Sequence, residues 1–305
     1  MSAHSAYHLR IAQDMVYSRQ LVRLRCPTGG EIATTIGTKP ERRTRTNRDR
    51  ALSQTVDRAL TVLNLFTPTE HDLALTQIAT RLGLHPTTAY RLLSTMEASG
   101  YVIRDAASGR YRLGLKLVEL AGLTLNQMDL YRHTLPELDV LRDELNLNAN
   151  LAVLDDGDVF HLAYAVRPDV ARFYTAIGRR SVAHCTALGK VLLAAQPRES
   201  VHAVVNARGW RPYTEQSIQD FSSLDAALDE VAAHGYAIDD GERRVGTRCV
   251  AAPLCDRSGA VVGAISVSGP AEQAEAIGLE RVIRDVLAAA ERVSSRLGHL
   301  GSGWP

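Results

Sequence analysis

Four cysteines in 305 residues, Cys26, Cys185, Cys249 and Cys255, leave little from which to build a metal site or a disulfide framework. None forms a C-x-x-C pair, and neither His184-Cys185 nor Cys249 with Cys255 has the close ligand spacing that zinc uses. No metal or other cofactor is expected, and the thiols are expected to be free in a reducing compartment. Aromatic residues make up only 5% of the chain, which argues against a site for a large apolar ligand. No segment reaches the roughly 18 apolar residues of a membrane span, and no apolar signal segment follows the first residues. The expectation is a cytoplasmic protein without membrane contact. There is also no glycine-flanked serine elbow and no H-E-x-x-H, so two common hydrolase signatures are missing.

The remaining composition, 45% hydrophobic and 23% charged, is that of a globular chain long enough for about two domains. A net charge of +1 hides a strong asymmetry. Residues 1–50 carry ten Lys/Arg against four Asp/Glu, residues 51–113 carry six against five, and the remainder is net −6. Arg42, Arg43, Arg45, Arg48 and Arg50 stand together ahead of the first helical pattern. As a disordered basic arm they would track phosphates or enter a minor groove; the alternatives are a solvated tail, or an upstream region absent from the native protein if translation starts later.

The most specific stretch runs from Leu75 to Leu113. Leu75, Ile78, Ala79 and Leu82 recur at helical spacing and Gly83 stops the pattern. A second helix starts at His85-Pro86, where a proline costs nothing because the N–H it lacks would be unpaired anyway. Ala89, Leu92, Leu93 and Met96 form its apolar face, while Thr87, Thr88, Tyr90, Arg91 and Ser94 form a polar face near its start. After Gly100 the period turns to that of strands: Tyr101 to Arg104, a turn at Asp105 to Gly109, and a return from Arg110 to Leu113. Two helices joined by a tight turn and followed by a hairpin make a winged helix-turn-helix, which places its second helix in the major groove of DNA. Hydroxyls and a guanidinium there suit base edges and phosphates, and Arg104, Arg110 and Arg112 on the hairpin suit the DNA backbone.

Taken together, the helix Ser53–Leu63, the run LTQIATRLGLHPTTAYRLLSTMEASGYV, the passage YRLGLKLVELAG and the downstream HCTALGKVLLA and HGYAIDDGERRVGTRCVAAPLCDRSGAVVGAISVSGP resemble the IclR family of bacterial transcriptional regulators, from Ser53 to Leu297 and in the family's order. The chain departs from the family at Thr87, where a basic residue is usual after the proline; that bears on the operator read rather than on the fold. The resemblance implies an α+β protein, with the winged helix-turn-helix followed by a GAF-like antiparallel-sheet domain that binds an effector. The expected division is a basic extension at 1–50, the DNA-binding domain at 51–113, a linker helix at 114–130 and the effector domain at 131–305.

The linker stripe Leu113, Leu115, Leu117, Val118, Leu120, Ala121 and Leu123 needs a partner surface, and the resemblance implies dimers or dimers of dimers through it. Further on, helices are expected at His133–Leu145, Thr186–Ala195, Pro197–Ala207, Leu224–His234 and Leu279–Leu297. Strands are expected at Asn150–Leu154, Val159–Ala165, Val250–Cys255 and Ala260–Ser268.

Three features of this half point to a small molecule. Ser266 and Ser268 share one face of an otherwise apolar strand, where their hydroxyls need partners. The helix opening at Thr186 has N–H groups that attract a carboxylate. Asp239, read as a loop residue, is placed to accept a ligand proton. The resemblance implies that Ala187, Leu188, Asp239, Cys249, Ser266 and Ser268 line the effector pocket, and helix amides with two hydroxyls favour a small organic acid. The functional expectation is a ligand-responsive regulator, in the first instance a repressor, on a palindromic operator. The rival class is an enzyme using Cys249 and His184, or Asp239 and Ser266, which leaves the helix-turn-helix unexplained.

Overall fold

The computed structural model describes residues 53–167 and 177–301. The basic cluster before Arg50, and Cys26, lie outside the described residues. The chain divides into two compact units, the boundary falling between Val118 and Glu119.

In the first unit, α1 (Gln54–Asn64), α2 (Leu75–Leu82) and α3 (Pro86–Ala98) precede a hairpin of β1 (Val102–Arg104) and β2 (Tyr111–Leu113). Gly83 ends α2 at φ 62°, a left-handed conformation suited to glycine, and Pro86 opens α3. Val62, Leu73, Ile78, Leu93, Met96, Val102 and Tyr111 make the core. Ile78 and Leu93 are fully buried, and burying such a side chain contributes about 2–3 kcal/mol. Leu73 pairs with Tyr111 and adds a third strand position to the wing. Gly114 passes so close to Gly100 that a Cβ would lie 2.1 Å from its carbonyl oxygen, so the return from the wing requires glycine. The helix α4 (Lys116–Gln127) follows. It begins later than expected: Leu113 closes β2 instead of opening the helix, because its backbone is taken into pairing with Val102.

The second unit holds α5 (Asp129–Leu145), β3 (Asn148–Asp155), β4 (Asp158–Ala165), β5 (Arg180–Val182), α6 (Ala187–Ala194), α7 (Arg198–Arg208), α8 (Phe221–His234), β6 (Ala237–Asp240), β7 (Thr247–Cys255), β8 (Val261–Pro270), α9 (Ala271–Ile277) and α10 (Leu279–Arg296). Its strands form one antiparallel sheet in the order β5-β4-β3-β8-β7-β6. Helices cover both faces. Leu138, Leu141 and Leu145 of α5 and Val282, Val286 and Val293 of α10 bury one face with Leu151, Val250, Ile265 and Val267. The buried carboxylate of Glu137 ties these helices together, accepting from Arg292 at 2.7 Å and Arg296 at 2.9 Å. Val191 and Leu192 of α6 and Leu224, Leu228 and Val231 of α8 pack on the other face, over Ala152, Ala251 and Ala264.

This is the α+β architecture expected, with corrections of detail. Asp239 lies in β6, not in a loop: four residues ending in two acids give no strand pattern, yet the stretch pairs with β7 from Ala237 to Asp240. The short β5 and α9 were also not foreseen, and α5 begins at Asp129, four residues before His133.

Candidate functional site

Two separate sets of side chains carry chemistry. On α3, Ala89, Leu93 and Met96 face the core, which turns Thr87, Thr88, Tyr90 and Arg91 to solvent; Ser94 is half-buried at the margin. The start of the helix is closed by its own flank, His85 Nδ1 accepting from the Thr87 N–H at 3.4 Å. On the wing, Arg104 and Arg112 are exposed. The Arg104 guanidinium stands 5.9 Å from the centre of the Tyr111 ring. Arg110 differs from both in being ion-paired within the protein. Its Nε donates to Asp72 Oδ1 at 2.6 Å, and its Nη2 donates to the Asp72 carbonyl at 3.0 Å and to Gln77 Oε1 at 3.3 Å. Asp72 is close in space across the β2 pairing with Leu73, a long-range neighbour that sequence spacing does not reveal.

The second set lies on the sheet face beneath α6. Strand register puts Tyr164 of β4 opposite Asn150 of β3, Asn150 opposite Ser266 of β8, Ser268 opposite Cys249 of β7, and Cys249 opposite Asp239 of β6. Since alternate residues share a face, these side chains form a polar band across five strands. Ser266 and Ser268 already have a partner that sequence reading missed: Asn150 Nδ2 donates to Ser266 Oγ at 3.1 Å and to Ser268 Oγ at 3.4 Å. His161, three residues before Tyr164 on β4 at the register shift opposite Leu151 and Ala152, stacks on Tyr164 at 5.1 Å and shares a 3.1 Å hydrogen bond with Ser181. Burial, then the Arg179 charge, push the His161 pKa down to about 4, so its ring is neutral. Burial raises that of Tyr164.

Asp239, 3% exposed, accepts the backbone N–H of Glu242 at 2.8 Å and of Arg243 at 3.3 Å on one oxygen. Burial and the nearby Glu242 carboxylate push its pKa up to about 6, against the lowering effect of those amides and of Lys190. Cys249 and Cys185 are held as thiols, burial being the main cause in each; Cys185 is pushed up to about 12.

Ala187 and Leu188, both buried, open α6 over this face. Thr186 caps the helix with its own hydroxyl, accepting from the Gly189 N–H at 3.1 Å and donating to the Val182 carbonyl at 3.0 Å. That amide is therefore not free for a ligand. A Cβ on Gly189 would sit 2.1 Å from the Ala183 oxygen, so glycine lets α6 settle against the chain that leads into it. Lys190 was also missed. Its ammonium is buried, donates to the Ile238 carbonyl at 2.5 Å and pairs with Glu242. A lone charge in the apolar run ALGKVLLA was the available signal, since a buried lysine has to be paired.

Among the described residues no hydrogen bond joins His184 to Cys249 or Asp239 to Ser266. The His184 ring meets Trp210 edge-on at 5.2 Å, while Cys249 lies beside Asp239. Ser266 is engaged by Asn150, not by Asp239. Among the described residues no group of three or more His, Cys, Asp or Glu is arranged to hold a metal, and no helix is long and apolar enough to cross a membrane.

A winged helix-turn-helix joined to an antiparallel-sheet domain with a polar band under a helix end defines a transcription regulator with an effector-binding domain. The chain belongs to the IclR family: the model described as "Bacterial transcriptional regulator IclR C-terminal" matches residues 122–295, and "IclR helix-turn-helix domain" matches residues 55–106. It is 31% identical to the HTH-type transcriptional regulator KdgR of Escherichia coli K12 over 230 residues, covering 75% of this chain and 88% of KdgR. An IclR transcriptional regulator from Alicyclobacillus acidocaldarius has a similar structure, with a TM-score of 0.70 and 30% identity over 81% of this chain and all of that one. An IclR homolog from Microbacterium hydrocarbonoxydans, solved in complex with 4-hydroxybenzoate, matches in fold at a TM-score of 0.71 and 23% identity over 80% of this chain and 99% of that one. This chain is a DNA-binding transcriptional regulator with a GAF-like effector domain, and not an enzyme.

Proposed function

We propose that the protein is a cytoplasmic repressor that grips a palindromic operator as a dimer or dimer of dimers and responds to a small organic acid. The polar band on the sheet carries this reading: Asn150, Ser266, Ser268, Cys249 and Asp239 share one face, with Ala187 and Leu188 at a helix start above them. A hydroxyl pair and a buried carboxyl in such a place serve a polar ligand better than they serve stability. The 4-hydroxybenzoate held by the Microbacterium homolog supports a small acid as the class.

Thr87, Thr88, Tyr90, Arg91 and Ser94 enter the major groove and Arg104 and Arg112 follow the backbone, with 51–113 as the DNA-binding domain, 114–130 as linker and 131–305 as effector domain. Val56 and Leu60 on α1 and Leu115, Val118 and Leu123 beside or on α4 are each more than half exposed, apolar side chains that a second copy would cover. Linkage requires the acid to favour one arrangement of the assembled copies over the other.

The experiment is a gel shift of the full-length protein on the DNA flanking its own gene, with and without a panel of small organic acids, alongside light scattering. Retardation relieved by an acid, with a mass of twice 33.3 kDa or a multiple of that, supports the reading. Failure to retard that DNA, or a monomer mass, counts against it.

A further inference from the structure

Asn150 lies in the middle of the sheet with only 5% of its surface exposed. Its amide nitrogen reaches both serine hydroxyls, at 3.1 Å and 3.4 Å. A hydroxyl has one proton to give and lone pairs to receive with, whereas an amide NH2 only gives. Each Oγ is therefore the acceptor toward Asn150, and each O–H proton is left for another partner. Among the described residues neither hydroxyl proton has an acceptor, although Ser266 is only 2% exposed. A buried donor left in this way is costly until something accepts from it. Both Oγ atoms lie within 3.4 Å of one nitrogen, close enough to serve the two oxygens of a single carboxylate.

We infer that Asn150 fixes the polarity of the effector site, turning Ser266 and Ser268 outward as paired donors, so that the site takes a carboxylate in preference to the neutral amide of the same shape. The inference rests on this sheet face being the effector site. Asn150 acts as a positioning residue: it touches the serines and sets which of their atoms face the ligand. Asp239, two strands from Ser268 and so about 10 Å away across the sheet, then stands as an acceptor for a hydroxyl at the far end of a longer acid such as 4-hydroxybenzoate, and not for the hydroxyl of glycolate or lactate.

The test uses matched pairs on the full-length protein: glycolate with glycolamide, lactate with lactamide, and 4-hydroxybenzoate with 4-hydroxybenzamide, by thermal shift and calorimetry. The wild type should bind at least one acid, and bind its amide about tenfold more weakly, the scale of one charge-assisted hydrogen bond. Asn150→Asp, measured near pH 8, offers only lone pairs, draws both hydroxyl protons to itself and should reverse the preference toward the amide. Asn150→Ala removes the amide without adding charge and should bring the acid-to-amide ratio toward one; it keeps the test decisive if the Asp variant fails to fold.

A purely structural Asn150 would weaken acid and amide together and leave their ratio unchanged, which overturns the inference. So does a wild type that prefers an amide, makes no distinction, or responds to none of these acids. Gel shifts on the same preparations separate the two readings. Absence of operator binding defeats the proposed repressor reading, whereas operator binding relieved by an amide leaves that reading's DNA side intact and removes only the role given to Asn150.

Discussion

Arg110 and Asp72 lock the wing to the start of α2, the guanidinium reaching the carboxylate at 2.6 Å and the Asp72 carbonyl at 3.0 Å. Both side chains are partly exposed, so the contact is worth about 1 kcal/mol, well short of the value of a dry ion pair. Arg110→Ala should lower unfolding stability by about that amount, whereas Arg112→Ala should leave it within about 0.5 kcal/mol. Arg112→Ala should instead reduce the slope of log affinity against log salt by about one, the signature of a lost phosphate contact. Urea unfolding and salt-dependent DNA titration read the two effects, and equal behaviour of the variants would show that the wing arginines are interchangeable.

Arg91 is exposed one turn into α3, next to Tyr90, and makes no contribution to the core. Its replacement by alanine should cost about 1–3 kcal/mol of operator affinity, the usual worth of a base or phosphate contact from a recognition helix. Unchanged stability beside the weakened binding would separate contact from folding, and unchanged affinity would take Arg91 out of the interface.

The helix-turn-helix was legible because each of its signals is local: Gly83, Pro86, a helical apolar period and a switch to strand period after Gly100. The sheet was legible where long apolar strands alternate, as in β8, and hidden where a strand is four residues ending in Asp239-Asp240. The site was half legible. Ser266 and Ser268 stood out on one strand, but their partner Asn150 is more than a hundred residues away and becomes a neighbour only through the antiparallel pairing of β3 with β8. Lys190 and Glu242 were hidden in the same way, since only the packing of α6 over β6 brings them together.

The Lys190–Glu242 pair is buried on both sides, with 7% and 12% of the two side chains exposed. Burial raises the Glu242 pKa and the lysine charge opposes that rise. Removing the ammonium alone strands a carboxylate in the interior, so Lys190→Met should destabilise the effector domain by about 3–5 kcal/mol. Adding Glu242→Gln should recover much of the loss. Thermal unfolding of the single and double variants measures this, and additive losses would show that the two groups do not depend on each other.

Asp239 predicts a pH dependence whose sign is opposite to that of an ordinary ion-paired carboxylate. Its folded pKa, about 6, is above its unfolded value, so the folded state holds the proton more tightly. Stability from this group is present below about pH 4 and is lost as pH rises through 6. The groups around it are Glu242, Lys190, Arg243, Cys185 and Cys249. Asp239→Asn keeps an oxygen for the two amides and removes the titration, so relative to wild type it should gain about 2 kcal/mol between pH 4 and 7. His161 works the other way, its depressed pKa costing stability as pH falls from 6.5 toward 4, but it is common to both proteins and cancels. A wild-type-minus-variant difference that stays flat across this range would mean that Asp239 is ionised throughout.

Replacing Ser266 and Ser268 together by alanine should abolish the response to the acid while leaving operator binding in its absence intact. The serines lie in the second unit and the recognition helix in the first, so coupling can vanish while each fold survives. The double variant also strips Asn150 Nδ2 of both its acceptors, a buried donor whose desolvation costs about 1–3 kcal/mol. Some loss of thermal stability is therefore expected, and the control is a triple variant with Asn150→Ala, which should recover it without restoring the response. Gel shifts with and without the acid, and calorimetry on the same proteins, decide the matter. A normal response from the double variant would place the ligand elsewhere, and loss of DNA binding without ligand would make the serines structural.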